Sequence, residues 1–456
     1  MNLNIFRAYD IRGVADRDLD DPLVRNLGRA IATTVHLRGL PPVLAVGRDA
    51  RLSSPRMAKA LIAGLIEGGI AVRDVGVVAT PMVYFAAFTL DVAGGVMVTG
   101  SHNPAADNGL KITLDKSSMH GDEVQALRRI IEQNNYISQG TGSVTAVDIF
   151  HPYVDYCVGN VRLGPRKLKV VVDAGNGPTG PVSPVILRRL GCEVVELFTE
   201  PDGNFPNHHP DPTVEANLAD LRKMVAETGA DLGVAYDGDG DRIGVVDEHG
   251  GILWGDKLMI VLSRALLREV PGAAIVAEVK CSQTLFDDIA AHGGRPVLSK
   301  VGHSLIKDRM KLEGAQLAGE MSGHIFYKHR YFGYDDATYT TCRLLEILSH
   351  DPRPLSQFLL DVPATFATAE LRLDCADEIK FAVVDTVARK YKLTHEVIDI
   401  DGVRVLFGDG WGLVRASNTG PVLVMRCEAQ SQERCDAIER ELREAVREAE
   451  LAMGIK

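Results

Sequence analysis

Excess positive charge is missing from this chain of 456 residues: 61 Asp and Glu outweigh 50 Lys and Arg, for a formal net charge of -11. A protein that binds nucleic acid by releasing counterions needs a basic stripe, and this balance argues against a nucleic-acid partner. It does not exclude a small anionic substrate, because a few arginines can reverse the field inside a cleft. Paired cysteines are missing as well. The seven present, Cys157, Cys192, Cys281, Cys342, Cys375, Cys427 and Cys435, are scattered, odd in number and without Cys-x-x-Cys spacing. That excludes a zinc knuckle and a disulfide framework, and reads as reduced, mostly buried thiols. Long apolar runs are missing too: none reaches about eighteen residues, the least a membrane span needs. The chain opens on Ile5-Phe6-Arg7-Ala8-Tyr9 with no basic region and apolar run ahead of it. No membrane association is therefore expected, and the protein is expected in the cytoplasm.

What is present is ordinary globular composition, 46% hydrophobic and 24% charged, so the whole chain is expected to fold. At about one domain per 100–200 residues, its length implies three or four domains. Three segments share one grammar of apolar run, polar turn, amphipathic helix, glycine and second apolar run. The first runs from Val43-Leu44-Ala45-Val46 through a helix over 54–67 and Gly68-Gly69 to Ile70-Ala71-Val72. The second runs from Leu168 to Val172, through a helix ending near Arg189, to Val194-Val195. The third runs from Ala274-Ile275-Val276 past Gly293-Gly294 to Val297-Leu298. Strand, helix and strand joined in this way predict three similar α/β domains with mixed or parallel sheets covered on both faces. After Pro363 the pattern changes to a strand near 367–373, a helix near 377–391 and further strands at 402–405 and 422–425, a smaller α+β domain. The charged amphipathic helix predicted over 431–452 reads as a solvated face. The expected domains are residues 1–148, 149–251, 252–363 and 364–456.

Asp237-Gly238-Asp239-Gly240-Asp241-Arg242 stands between two strand-like runs. Three carboxylates in five residues repel one another unless a cation joins them, and hard oxygen ligands suit magnesium or calcium. An EF-hand loop fits the aspartates and Glu248 but fails at Arg242, where glycine is required, and on its strand-like flanks. Thr99-Gly100-Ser101-His102-Asn103-Pro104 follows the apolar run 95–98, which places Ser101 at a strand end as a nucleophile or phosphate carrier beside a proton-handling histidine. It lacks the Gly-x-Ser-x-Gly elbow of hydrolases. Lys111, after a predicted Asn108-Gly109 turn, can reach back to an anion. Arg415-Ala416-Ser417-Asn418-Thr419-Gly420-Pro421 gathers a guanidinium, two hydroxyls, an amide and backbone donors, the combination that recognises phosphate. Glu320 and Ser322 in Gly319-Glu320-Met321-Ser322-Gly323-His324 project to one side if that segment is extended, as a sugar reader requires. Lys280 and His303 carry little meaning singly. Gly175-Asn176-Gly177-Pro178-Thr179-Gly180 matches a dinucleotide fingerprint in spacing, but Pro178 and Pro181 remove backbone donors, so it reads as a structural turn.

The order and spacing of these motifs resemble the α-D-phosphohexomutases, especially the bacterial phosphomannomutase/phosphoglucomutase group, over all four domains. The opening Phe6 to Gly13 is similar to the family's start, where Tyr9 and Arg12 line the cleft. The resemblance implies a central cleft in which Ser101 carries a phosphoryl group, donates it to a hexose monophosphate, and recovers the other phosphate after a hexose 1,6-bisphosphate turns round. It implies one magnesium per chain, held by Asp237, Asp239, Asp241 and phospho-Ser101. Arg12, Lys111 and Arg242 would add positive charge, and His102 with Lys111 would manage the proton. Glu320, Ser322 and His324, with Lys280 and His303, would hold the sugar, and Arg415, Ser417, Asn418 and Thr419 the phosphate that is not reacting. Met321 is like the mannose and glucose enzymes, whereas glucosamine relatives tend to carry glutamine there. Val301 departs from relatives that offer a threonine. Mannose and glucose phosphates are the expected substrates, with glucosamine phosphate as the alternative. A monomer is expected, with a dimer as the alternative. A metal-dependent sugar phosphatase and a non-catalytic nucleotide-binding protein are the rival readings.

Overall fold

A computed structural model describes residues 2–417 and 420–453. Among these residues the strands form four sheets of seven, five, four and six strands. In the first, Val43–Arg48 pairs in parallel with Ala71–Val77 and with Gly94–Val98. Parallel neighbours need a crossover, and the helices Ser54–Glu67 and Thr80–Thr89 supply both. The second sheet repeats this, with Lys169–Asp173 parallel to Glu193–Leu197 and to Leu232–Tyr236. In the third, Ala274–Glu278 is parallel to Arg295–Ser299 and to Leu317–Gly319, with the helices Gln283–Ala291 and His303–Glu313 as crossovers. The repeated sequence grammar is therefore three copies of one α/β arrangement.

Each of these three sheets turns antiparallel at the same place. Gly94–Val98 is antiparallel to Asp107–Leu114, Leu232–Tyr236 to Ile243–Asp247, and Leu317–Gly319 to Ile325–Tyr327. The segments 99–106, 237–242 and 320–324 thus leave the carboxyl ends of equivalent strands, where α/β sheets present their ligand loops. The fourth sheet is antiparallel throughout, and its hairpin Gly410–Ala416 to Val422–Ala429 carries the fourth loop.

Three local expectations need correction. Asn108-Gly109 is not a turn but lies inside the strand Asp107–Leu114. The Asn108 amide is consumed by the hydroxyls of Ser53 (2.8 Å) and Ser54 (2.9 Å), and a Cβ at Gly109 would stand 2.2 Å from the Ile11 carbonyl oxygen, which is why a turn-like pair occupies a strand. The strand near 367–373 is two short strands, Phe366–Ala367 and Leu371–Asp374, both pairing with Val422–Ala429. The helix foreseen from 377 starts at Lys380.

One apolar cluster runs through the first three domains, from Val83, Tyr84 and Phe85 through Val172 and Tyr236 to Leu285 and Leu345. The fourth domain has its own core. There the helix Gln432–Ala452 buries Cys435, Ile438, Leu442, Ala445 and Ala449 at helical spacing and turns its charges to solvent. Among the described residues no helix is long and apolar enough to cross a membrane.

Candidate active site

The first loop is held from behind by a fully buried arginine. Arg51 donates from one terminal nitrogen to the carbonyls of Pro104 (2.5 Å) and Asp107 (3.0 Å), and from the other to those of Ser101 (2.7 Å) and Asn103 (2.6 Å). A planar fork of donors suits this four-point grip. Asp49 faces Arg51 at 3.2 Å and accepts from Ser54, Thr99 and the Gly100 amide, and Thr99 in turn accepts from the Ser101 amide (2.8 Å). The loop is thereby bent until Ser101 takes a left-handed φ of 49°, an uncommon conformation for serine. Its Oγ comes 2.8 Å from Asp237 Oδ2.

The second loop curls around its first carboxylate. Asp237 Oδ1 accepts the amides of Gly240, Asp241 and Arg242 (3.0, 3.1 and 3.2 Å), and Gly240 has φ 79°, which favours glycine. Gly238 is needed for another reason: a Cβ there would lie 2.3 Å from the Ser101 carbonyl oxygen. Asp239 Oδ2 accepts from Thr80 (2.5 Å) and from Lys111 Nζ (2.7 Å), and Lys111 also bonds Asp241. Burial pushes Asp237 well above the ordinary carboxylate range, and the charges of Asp241 and Asp239 add to it. Burial acts in the same sense on Asp241, but Lys111 and His324 outweigh it and hold that group well below. Lys111, despite burial, is kept protonated by Asp239 and Asp241.

Asp237, Asp239 and Asp241 each present an oxygen within 4.8 Å of the others; Oδ1 of Asp239 is buried without a hydrogen-bond partner, and Oδ1 of Asp241 faces His324 Nε2 at 3.2 Å. Three buried carboxylates converging beside a hydroxyl, one oxygen among them without any donor, fit a hard divalent cation. A second triad, Asp241, His324 and Asp335, also converges. Burial alone would lower His324, but Asp241 and Glu320 raise it to about 9, and an imidazolium does not ligate metal. That triad is an ion-pair network.

The third loop turns back on itself instead of extending. Glu320 and His324 face each other across a turn, with the Glu320 amide bonded to the His324 carbonyl (2.9 Å) and their side chains 2.6 Å apart. The expected alternation of Glu320 and Ser322 is therefore replaced, and Ser322 Oγ lies 3.4 Å from His324 Nδ1. Burial would raise Glu320, yet His324 and the Gly302 amide (2.8 Å) hold it down to about 2. His324 Nε2 stands 3.2 Å from both Asp241 and Arg242 Nε, joining the second and third loops. Lys280 pairs with Glu370 (3.0 Å) and faces buried Glu278 (3.9 Å). His303 is kept neutral by burial, with Lys307 and Lys111 acting in the same direction.

Further contacts tie in the chain start and the fourth domain. Tyr9 donates to the Val301 carbonyl (3.0 Å), and the Val301 amide donates to Asp401 (3.0 Å), which also pairs with Arg415 (3.1 Å). Arg12 bonds Asn103 (2.7 Å) and Asp10 (2.5 Å), and His102 Nδ1 lies 3.1 Å from Asp211. Burial and the nearby Arg242 lower His102 to about 4 in spite of that carboxylate. Ser417 is buried, and its carbonyl accepts from Lys380 (2.6 Å), whereas Asn418 and Thr419 lie outside the described residues.

Sequence reasoning missed Arg51, Asp49, Thr80, Asp211, Glu278 and Asp401. Only the first two carried a signal, charged residues just after the apolar run 43–46. The Gly175–Gly180 turn is buried throughout, packed against Pro210 and Thr199, and offers no surface to a pyrophosphate.

Models of the phosphoglucomutase/phosphomannomutase α/β/α domains I, II and III match residues 3–137, 151–251 and 254–366, and the model of the C-terminal domain matches 370–445. A phosphomannomutase/phosphoglucomutase of Pseudomonas syringae pv. tomato is 48% identical over 95% of this chain and 93% of its own. The enzyme of that name from Pseudomonas aeruginosa is 45% identical over 99% and 97%. A solved phosphoglucomutase/phosphomannomutase family protein from Burkholderia thailandensis superposes with TM-score 0.92 at 42% identity, covering 98% of each chain. With four consecutive domain matches and near-complete relatives, the chain belongs to the phosphoglucomutase/phosphomannomutase family of α-D-phosphohexomutases and is a mutase, an isomerase by reaction class.

Proposed function

We propose that this protein interconverts hexose 1-phosphate and hexose 6-phosphate, with mannose, glucose or both as the sugar, through phospho-Ser101 and a hexose 1,6-bisphosphate. The observation that carries this reading is the position of Ser101: its backbone is forced left-handed, and its Oγ is 2.8 Å from a carboxylate of a three-aspartate cluster. Asp237, Asp239 and Asp241, with an oxygen of phospho-Ser101, would hold magnesium, which when bound neutralises charge on the phosphoryl group. Lys111, held charged, and Arg242 supply further positive charge at the same point. During transfer the bond between Ser101 Oγ and phosphorus breaks as a sugar hydroxyl bonds to phosphorus, and that hydroxyl proton must leave. With Nδ1–H donated to Asp211, neutral His102 presents Nε2 as an acceptor. A loose transition state asks little of the base, so a weakly basic imidazole suffices.

Arg415, positioned by Asp401, and Ser417 would grip the distal phosphate with Asn418 and Thr419, while Glu320, Ser322, Lys280, His303 and His324 face the sugar. Met321 fits mannose and glucose phosphates rather than glucosamine phosphate. The described cysteines are all free and buried, which fits the reducing compartment expected of a cytoplasmic enzyme.

The test is phosphorus NMR with magnesium, mannose 1-phosphate and a trace of hexose bisphosphate. Growth of the 6-phosphate signal without inorganic phosphate is expected, and Ser101→Ala is expected to remove it. Release of inorganic phosphate, or full activity of Ser101→Ala, would overturn the carrier role. Glucose and glucosamine 1-phosphates under the same conditions rank the sugars.

A further inference from the structure

Away from the cleft, a recess of about 420 Å³ opens at the seam between the first and third domains. That volume falls within the range of about 300–1,000 Å³ typical of small-molecule sites. One wall is aromatic. Tyr84 and Phe88 come from the helix Thr80–Thr89, and Phe332 and Tyr334 from the segment after Ile325–Tyr327. Phe332 and Tyr334 lie parallel within 7°, and Phe88 stands 5.2 Å from Phe332.

The rest of the lining mixes lysines with neutral residues such as Thr113, Ser118, Met310 and Gln316. Lys116, Lys307, Lys311 and Lys328 all border the recess, and no aspartate or glutamate does. In a chain of net charge -11 this is a local reversal of sign. Lys307 is paired with Asp335 (3.1 Å), but Lys116, Lys311 and Lys328 make no ion pair among the described residues. Of the nearby carboxylates, Asp308 pairs with His120 and Glu313 with Arg295 and Arg309, and exposed Asp115, next to Lys116 in the chain, does not border the recess. Lys116 is held in a left-handed turn (φ 59°), with its Nζ 5.6 Å from the Phe88 ring and its carbonyl accepting from Lys311 (3.2 Å).

We propose that this recess is a binding site for a planar aromatic anion bearing a phosphate, of the nucleoside monophosphate class. The base lies against the aromatic wall, where stacking does not depend on which base it is. The phosphate meets the lysines that make no ion pair. Because the lining comes from two domains, the bound ligand bridges them. This assignment is independent of the sugar reaction in the cleft.

The experiment is isothermal titration of the full chain with AMP, and with ribose 5-phosphate and adenosine as controls, in the presence of saturating glucose 1,6-bisphosphate to fill the cleft. Saturable AMP binding at least about tenfold tighter than either control is expected, because each control lacks one half of the recognition. Lys116→Glu with Lys311→Glu is expected to weaken AMP at least about tenfold, with mutase turnover unchanged. Lys328→Glu is the second variant should the pair fold poorly. Absence of AMP binding, equal binding of ribose 5-phosphate, or affinity unaffected by the charge reversals would each overturn the proposal. Displacement of AMP by the bisphosphate would also overturn it, by placing the nucleotide in the cleft.

Discussion

Arg51 shows how one side chain decides a loop. Its guanidinium spans four carbonyls of the segment that carries Ser101, and Asp49 balances its charge inside the protein. A lysine keeps the charge but has a single nitrogen, so Arg51→Lys would release at least two of the four carbonyls, at about 1–3 kcal/mol for each that stays shielded from water. Urea unfolding should show a loss of about 2–5 kcal/mol, and the mutase rate should fall more than about tenfold as Ser101 leaves its position. A variant as stable and as active as the parent would show that the loop holds its own shape. Ser101 and the three aspartates stood out in the sequence because their types suit the proposed chemistry. Arg51 was not, because nothing in a linear chain says which carbonyls an arginine will reach.

At the scale of elements, the helix Ala337–Ser349 offers a test through its cap. Asp336 accepts the Tyr339 amide (2.8 Å) and the hydroxyls of Tyr153 (3.0 Å) and Tyr331 (2.7 Å), yet burial still pushes its pKa up to about 6. Between about pH 4 and 6 the folded protein keeps a proton there that the unfolded chain has released. The native state binds more protons, so this group makes stability fall as pH rises through that window, by up to about 3 kcal/mol. Asp336→Asn can still cap the helix but cannot titrate. Denaturant melts from pH 4 to 7 should therefore fall more steeply for the parent than for the variant, and parallel curves would refute the assignment. Element order and type were legible from hydrophobic periodicity, which is local. The Asn108-Gly109 pair was misread because its turn chemistry is overridden by Ser53 and Ser54, more than fifty residues away in sequence.

For the whole molecule, the difference lies between a shared core and a thin seam. Three domains share one apolar cluster, whereas the fourth meets the third mainly through polar groups and a small cluster of Val279, Trp411 and Leu413. Arg404, stacked 3.7 Å over Trp411, donates to the carbonyls of Val279 (2.7 Å) and Cys281 (3.0 Å), and Glu428 accepts from Ser282 (2.6 Å). A seam held mainly by polar bonds, with little apolar burial, can hinge, and the fourth domain carries Arg415. Arg404→Ala is expected to widen the change in radius of gyration between free and substrate-saturated protein, and to raise KM about tenfold while altering kcat less. Scattering curves unchanged by substrate in both proteins would rule out the hinge.

By itself the sequence determined the four-part division and the repeated α/β pattern and pointed to the residue types of the proposed chemistry, because periodicity and turn composition act between near neighbours. Only the tertiary structure decided that segments 99–106, 237–242 and 320–324 leave equivalent strand ends. It also brought Lys111 to Asp239 and Asp241, across 128 and 130 residues of sequence, and turned the third loop so that Glu320 grips His324. Those outcomes depend on which sheets pack together, and packing is set by burial summed over the whole molecule, which no short stretch of sequence contains.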